Sequence, residues 1–329
     1  MATSVTVRSF AKINVGLHIG PLRADGFHEL QTVYQTIGLH DVIHVSLARG
    51  GGGRDSGIEI RCDDPRVPRD ESNTCYRIVE KAMAALQASG KVVVEIEKRL
   101  PVQGGLGGAS ANAVATLLGL ERALKKSLPA TEKLRIAAEV GSDLPLFLAG
   151  GTVLGVGRGE QVYPLPDFPA TACVVVTPEV GVSTPKAFAQ WDRLLEAEKL
   201  TVPARFDRMN ELGRELSAWL NAAFQAYSGA SLKRGRAENP LLELVRAGIK
   251  NDFERVVFPE YPELGEVKRA LVRADAKYAS LSGSGSALYG LFASRAQAAR
   301  AAAKLRKQGW TAQATATLTR RQYWKRIFG

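Results

Sequence analysis

Apolar and polar positions in the first half of the chain fall into two-residue alternation interrupted by glycines. Residues 5–7, 13–17, 33–39, 42–46 and 58–61 carry that period, which predicts strands with one face buried. Arg49 and Arg54 bracket four consecutive glycines, a pattern that predicts a flexible turn. From Ser72 the period becomes helical, with Ile78, Val79, Met83 and Leu86 on one face and a stop at Gly90. A β-branched run at 92–96 predicts a strand that leads through Lys98 and Pro101 into a glycine cluster. Helices follow over 110–126 and 131–141. Farther on, 150–159 predicts a strand and tight hairpin, and 172–177 a buried strand. Residues 185–251 read as mostly helix, with a break at 229–236; 279–292 reads as strand, turn, strand. A helix at 296–307 and a strand at 313–318 complete the pattern. At 329 residues the chain exceeds one comfortable core. The mixture predicts an α+β protein of two domains, 1–160 and 161–329.

Composition narrows the function classes. Apolar residues make up 45% and charged residues 23%, and no apolar run is long enough to span a bilayer. The N-terminus alternates as a first strand and lacks the apolar stretch of a signal peptide. Cys62, Cys75 and Cys173 lie far apart with no metal-binding spacing, which suits a reducing cytoplasm and argues against a zinc site. Net charge is +11, and eight basic and no acidic residues follow from Arg300 onward. Such a segment suits nucleic acid, or a solvated face that draws in anionic substrates; no recognisable nucleic-acid module accompanies it.

The segment Pro101-Val-Gln-Gly-Gly-Leu-Gly-Gly-Ala-Ser-Ala-Asn112 carries the clearest chemistry. Gly104, Gly105, Gly107 and Gly108, set between a strand and a helix, let backbone approach a ligand closely. The N–H groups at the start of the following helix suit phosphate oxygens. Two common phosphate loops are excluded. A P-loop ends in Gly-Lys-Ser/Thr, whereas no lysine follows here before Lys125. A dinucleotide fingerprint counted from Gly105 meets Ser110 where its third glycine belongs.

Pro-x-x-x-Gly-Leu-Gly followed by small residues instead resembles the phosphate loop of the GHMP kinases. Two further segments agree in order and spacing: Ser9-Phe-Ala-Lys12-Ile-Asn14-Val-Gly-Leu17, and Leu281-Ser-Gly283-Ser-Gly285-Ser-Ala287. Within that superfamily, four stretches resemble the branch that phosphorylates cytidine-diphosphate-linked methylerythritol. They are Arg23 to Thr32, Gly141 to Phe147, Gly181 to Phe188, and Asn251 to Phe258. The likeness is thinnest over 196–238. It implies a ribosomal-protein-S5-like first domain, a ferredoxin-like second domain and an active site in the cleft between them. The implied activity is ATP-dependent phosphorylation of the substrate's 2-hydroxyl in the non-mevalonate route to isoprenoid precursors. Alternatives are a GHMP kinase acting on homoserine or a mevalonate derivative, or a non-catalytic protein binding anions or RNA.

Residue by residue, the resemblance implies Asp143 as the base and Lys12 as its orienting, charge-stabilising partner. Asp143 precedes Pro145 at a turn, where a carboxylate either points into a cleft or caps the next helix. Lys12 sits among apolar neighbours, where an inward ammonium needs an anion, and Asn14 shares its strand face. For ATP, the resemblance implies Pro101, Gly104, Gly105, Leu106, Gly107, Gly108, Ala109 and Ser110 around the triphosphate. Lys98, Asn73 and Asn112 would surround the adenine. For the cytidine substrate it implies Asn14, Phe27, His28, Thr184, Pro185 and Phe188, aromatic rings and an imidazole being suited to a pyrimidine. Phe27 stands where tyrosine is frequent, and Ala111 where many relatives carry a second serine. Mg²⁺ is expected from the chemistry, with no protein ligand identified. The chain is expected to be a monomer or homodimer.

Overall fold

In the computed structural model, residues 4–48, 57–102, 104–199, 249–328 and most of 210–218 are described. The glycine run after Arg49 and the break expected at 229–236 lie outside them. Four of the short strands expected near the N-terminus are two long ones, β1 (Ser4–Leu22) and β2 (His28–Ala48). They pair antiparallel along almost their whole length, with register shifts between Phe10 and Lys12, Asn14 and Gly16, and Ile19 and Leu22. Such bulges absorb the polar interruptions that break the alternation in the sequence, and they re-aim the side chains beside them.

Strand β2 is the spine of a six-stranded sheet. Its first half pairs with β5 (Thr152–Gly157), which turns back into β6 (Gln161–Pro164). Its second half pairs with β4 (Lys91–Glu97), itself parallel to β3 (Gly57–Cys62). Against this sheet lie α1 (Thr74–Ala85), α2 (Gly108–Leu124), α3 (Ala130–Val140) and the short α4 (Leu144–Ala149). Helix α2 is buried nearly all round, as its alanine and leucine content requires. Val7, Ile43, Val45, Val94, Leu117, Leu120 and Phe147 form the core beneath it.

The second sheet has four antiparallel strands in the order β10-β7-β9-β8. They are β7 (Ala172–Val176), β8 (Tyr278–Leu281), β9 (Leu288–Phe292) and β10 (Ala312–Ala316). Between β7 and β8 come α5 (Thr184–Ala197), α6 (Glu254–Glu260) and α7 (Pro262–Arg273); α8 (Arg295–Lys307) joins β9 to β10. This is the ferredoxin-like strand order, two helical crossovers flanking a hairpin.

Two features depart from the expected division at 160/161. That position falls inside the β5–β6 hairpin, because β6 belongs to the first sheet. A final helix, α9 (Arg320–Ile327), returns to the first core, where Tyr323 and Ile327 are buried. The Tyr323 hydroxyl donates to the Phe147 carbonyl at 2.7 Å. The basic segment after Arg300 is largely tied into this architecture. Lys304, Arg306 and Arg320 donate to the carbonyls of Arg273, Ala312 and Thr152, and basic residues sit in the last turns of α8 and α9, where the helix dipole favours them.

Candidate active site

The β1–β2 ladder sets the layout of the site. Ser9 lies opposite Asp41, Lys12 opposite Thr36, Asn14 opposite Tyr34, and Leu22 opposite His28. At about 3.4 Å per residue, His28 and Asp41 stand roughly 40 Å apart along β2 with Tyr34 midway. A cleft of about 1020 Å³ runs past these positions, and every residue expected above for catalysis, ATP or substrate lines it.

At the middle, Lys12 and Asn14 are both buried and share a face, as period two requires. Lys12 Nζ donates to Asn14 Oδ1 at 2.7 Å and to the Gly105 carbonyl at 3.0 Å, and stands 3.4 Å from Asp143 Oδ2. Asn14 is held in turn by donating to Thr32 Oγ1, which donates to the Gly16 carbonyl. The buried ammonium therefore has an anion and two neutral acceptors. Asp143 precedes α4 but makes no side-chain capping bond, so its carboxylate is free for the cleft. Its Oδ1 accepts from the Tyr34 hydroxyl at 3.0 Å.

The glycine loop is built by close packing. A Cβ on Gly105, whose φ is +72°, would lie 2.1 Å from the Ser282 carbonyl; one on Gly107, at φ +69°, would press Lys12 and Phe147 at 3.0 Å. Gly107 caps α2 without a side chain, leaving the first N–H groups of that long helix aimed into the loop. The third glycine motif closes over the first: Ser282 Oγ donates to the Gly105 carbonyl and Ala287 N to the Gly104 carbonyl. Asn251 fixes this turn by donating to the Leu281 and Gly283 carbonyls, while Glu254 accepts from Ser280 Oγ and Leu281 N. Thr184 and Ser284 share a hydroxyl hydrogen bond of 2.7 Å across the cleft.

At one end, the three residues expected near adenine differ in their ties. Lys98 Nζ and Asn112 Nδ2 both donate to Asp41 Oδ2, at 2.5 and 2.9 Å, and the Arg99 and Leu100 amides donate to Oδ1. Asp41 is fully buried, and four donors compensate its desolvation. Because a carboxylate only accepts, it fixes the Asn112 amide with nitrogen toward Asp41. Asn73 is spent as the N-cap of α1, accepting from Cys75 N and donating to the Pro68 carbonyl. Burial pushes the Cys75 thiol up to about 12, leaving it protonated and unreactive.

At the other end, His28 stacks on Phe188 with centroids 4.8 Å apart and planes 7° apart, and Phe253 meets Phe188 edge-on. His28 Nε2 bonds Asp192 Oδ1 at 2.9 Å. In the neutral ring Nε2 is then the donor and Nδ1 an acceptor. Phe27 is 51% exposed, with the Arg158 guanidinium 4.9 Å above its ring. Thus His28 itself covers a face of Phe188 that sequence reasoning reserved for a base. Sequence reasoning missed Tyr34, Asp41, Arg158 and Asp192 altogether. Asn251 was singled out only as part of a motif, without a role. Among the described residues no group of three potential metal ligands occurs, and no helix is long and apolar enough to cross a membrane.

Comparison with known proteins agrees with this architecture. The family described as GHMP kinases N terminal domain matches residues 73–151, and GHMP kinases C terminal matches 230–309. A 4-diphosphocytidyl-2-C-methyl-D-erythritol kinase of Solibacter usitatus is 38% identical over 88% of this chain and 81% of its own. One from Desulfitobacterium hafniense is 34% identical over 96% and 97%. Among solved structures, a 4-(cytidine 5'-diphospho)-2C-methyl-D-erythritol kinase superposes with a TM-score of 0.70 at 28% identity, covering 95% of this chain and 98% of its own. A homoserine kinase from Cytophaga hutchinsonii shares the fold, with a TM-score of 0.69 at 20% identity over 96% and 95%. The chain is thus a kinase belonging to the 4-diphosphocytidyl-2-C-methyl-D-erythritol kinase family, built on the two-domain GHMP fold.

Proposed function

We propose that this kinase transfers the γ-phosphoryl group of ATP to the 2-hydroxyl of 4-diphosphocytidyl-2-C-methyl-D-erythritol, a step toward isoprenoid precursors. The observation that carries the reading is the 3.4 Å approach of Lys12 Nζ to Asp143 Oδ2 beside the glycine loop of the shared cleft. Phosphoryl transfer needs alignment, charge neutralisation and an acceptor for the hydroxyl proton. Asp143 Oδ2 takes that proton, and Lys12 steadies the carboxylate and the nucleophilic oxygen. The amides from Gly104 to Ser110 hold the triphosphate, and Lys98 and Asn112 border the adenine. Asn73, its amide already engaged, contributes shape there. His28, Phe27, Phe188, Thr184 and Pro185 select the cytidine substrate, with His28 Nδ1 able to accept from the exocyclic amine of cytosine. Mg²⁺ bound to the triphosphate would neutralise its charge.

Nucleotide binding by the first domain, with substrate contacts added by the second, is part of the same proposal. The test follows ATP consumption with the cytidine-diphosphate substrate, and with mevalonate and homoserine in parallel. Turnover of either alternative alone overturns the assigned acceptor. Asp143→Asn should abolish transfer while nucleotide affinity changes less than about threefold. Full activity in that variant would remove its assigned role.

A further inference from the structure

The hairpin β5–β6 carries two glycines whose packing has one explanation in common. A Cβ on Gly155 would lie 2.5 Å from Tyr34 Cε2, and one on Gly159 would lie 2.4 Å from the Tyr34 hydroxyl. Both positions are hollowed to admit a single phenol. Tyr34 comes from β2, directly opposite Asn14, and only 2% of it is exposed. A tyrosine buried this deeply must find a partner for its hydroxyl, and the partner is Asp143 Oδ1 at 3.0 Å. The other carboxylate oxygen, Oδ2, faces Lys12, whose ammonium also lies 5.6 Å from the centre of the Tyr34 ring.

The two oxygens of Asp143 are therefore unlike. Oδ1 is engaged by a neutral donor from the sheet. Oδ2 remains for the lysine and for whatever approaches through the cleft. Asp143 makes no capping bond within its own turn; its side chain is anchored by Lys12 and Tyr34. Burial, reinforced by the carboxylate's charge, holds the Tyr34 phenol well above its ordinary value, so it stays a donor throughout the working pH range.

We propose that Tyr34 is a positioning residue for phosphoryl transfer: its hydroxyl, seated in the hollow left by Gly155 and Gly159, locks the Asp143 carboxylate with Oδ2 toward the acceptor. The proposal rests on Asp143 being the base. It assigns the phenol neither a proton transfer nor a bond to ATP or acceptor.

The test is Tyr34→Phe, which keeps the ring and removes only the oxygen. Loss of a hydrogen bond to a charged group should lower kcat about tenfold. KM for both substrates should stay within about twofold, since the ring still fills its hollow. The melting temperature should stay close to that of the parent. A wild-type kcat, or a loss confined to KM or to melting temperature, overturns the proposal. Asp143→Asn is assayed beside it: an active Asp143→Asn protein would sink the assignment of the base, whereas an inactive one with an unimpaired Tyr34→Phe protein sinks only the positioning role. As a measurement independent of that variant, the parent enzyme labelled with [ζ-¹³C]tyrosine is compared with Asp143→Asn. One buried tyrosine resonance should shift on loss of the carboxylate; an unchanged spectrum counts against the contact.

Discussion

Lys12, with 4% of its side chain exposed, faces Asp143, with 33% exposed, so the two partners depend on each other unequally. The carboxylate can borrow solvation from the cleft; the ammonium leans on Asp143, Asn14 and the Gly105 carbonyl. Lys12→Met should accordingly fold, and lose about 10²–10³-fold in kcat through lost charge stabilisation. Steady-state kinetics beside a thermal melt checks both parts. Asp41 presents the opposite case, a carboxylate with no solvent at all. Asp41→Asn strands Lys98 and should cost about 3–5 kcal/mol of stability, with a raised KM for ATP, measurable by denaturant titration and initial rates. Alternation puts Lys12 and Asn14 on one strand face, whereas their proposed roles, and that of Asp143, were suggested by the resemblance of the flanking motifs. Asp41, Tyr34 and Asp192 could not, because their partners lie 59, 109 and 164 residues away and no local period marks them.

Elements show the same division between local and distant causes. The glycine cluster before α2 announced itself because a strand, a bend and a helix follow one another directly between Lys91 and Leu124. What the sequence could not disclose is that the loop is packed from both sides, with the Ser282 carbonyl where a Gly105 side chain would begin. Gly105→Ala should therefore cost about 2–3 kcal/mol and weaken ATP binding, readable by calorimetry with and without nucleotide. The strands β1 and β2 were legible in pieces, since bulges and polar site residues interrupt the period they would otherwise keep. Helix α9 escaped notice although its start carries a recognisable signal: Thr319 and Gln322 form a reciprocal capping box. The helices over Glu254–Glu260 and Pro262–Arg273 were likewise passed over, the first carrying Pro259 in its interior.

At the scale of the molecule, the mixed α+β character and two-domain plan were legible from the pattern of elements, whereas the boundary was not. A hairpin that ends at Pro164 and a helix that returns from beyond residue 319 are long-range pairings. The excess charge, too, changes meaning in three dimensions, since several of its cations cap carbonyls and helix ends. The two substrates proposed above are anions, so raising ionic strength should lower kcat/KM while leaving kcat nearly constant; an unchanged kcat/KM would show that the net charge of +11 does not steer them. Tyr323→Ala should cost about 3–5 kcal/mol through lost burial in the first core, seen as a fall in melting temperature.

The bond from Tyr323 to Phe147 joins positions 176 residues apart, and Phe147 belongs to the short helix that begins beside Asp143. A nascent chain that has emerged only through β6 thus lacks the piece that closes its hydrophobic centre. The whole ferredoxin-like unit must be synthesised before α9 can reach back. Interrupted translation or clipping ahead of residue 320 would release a protein with an unsealed interior beside Asp143, exposed to chaperones and proteases.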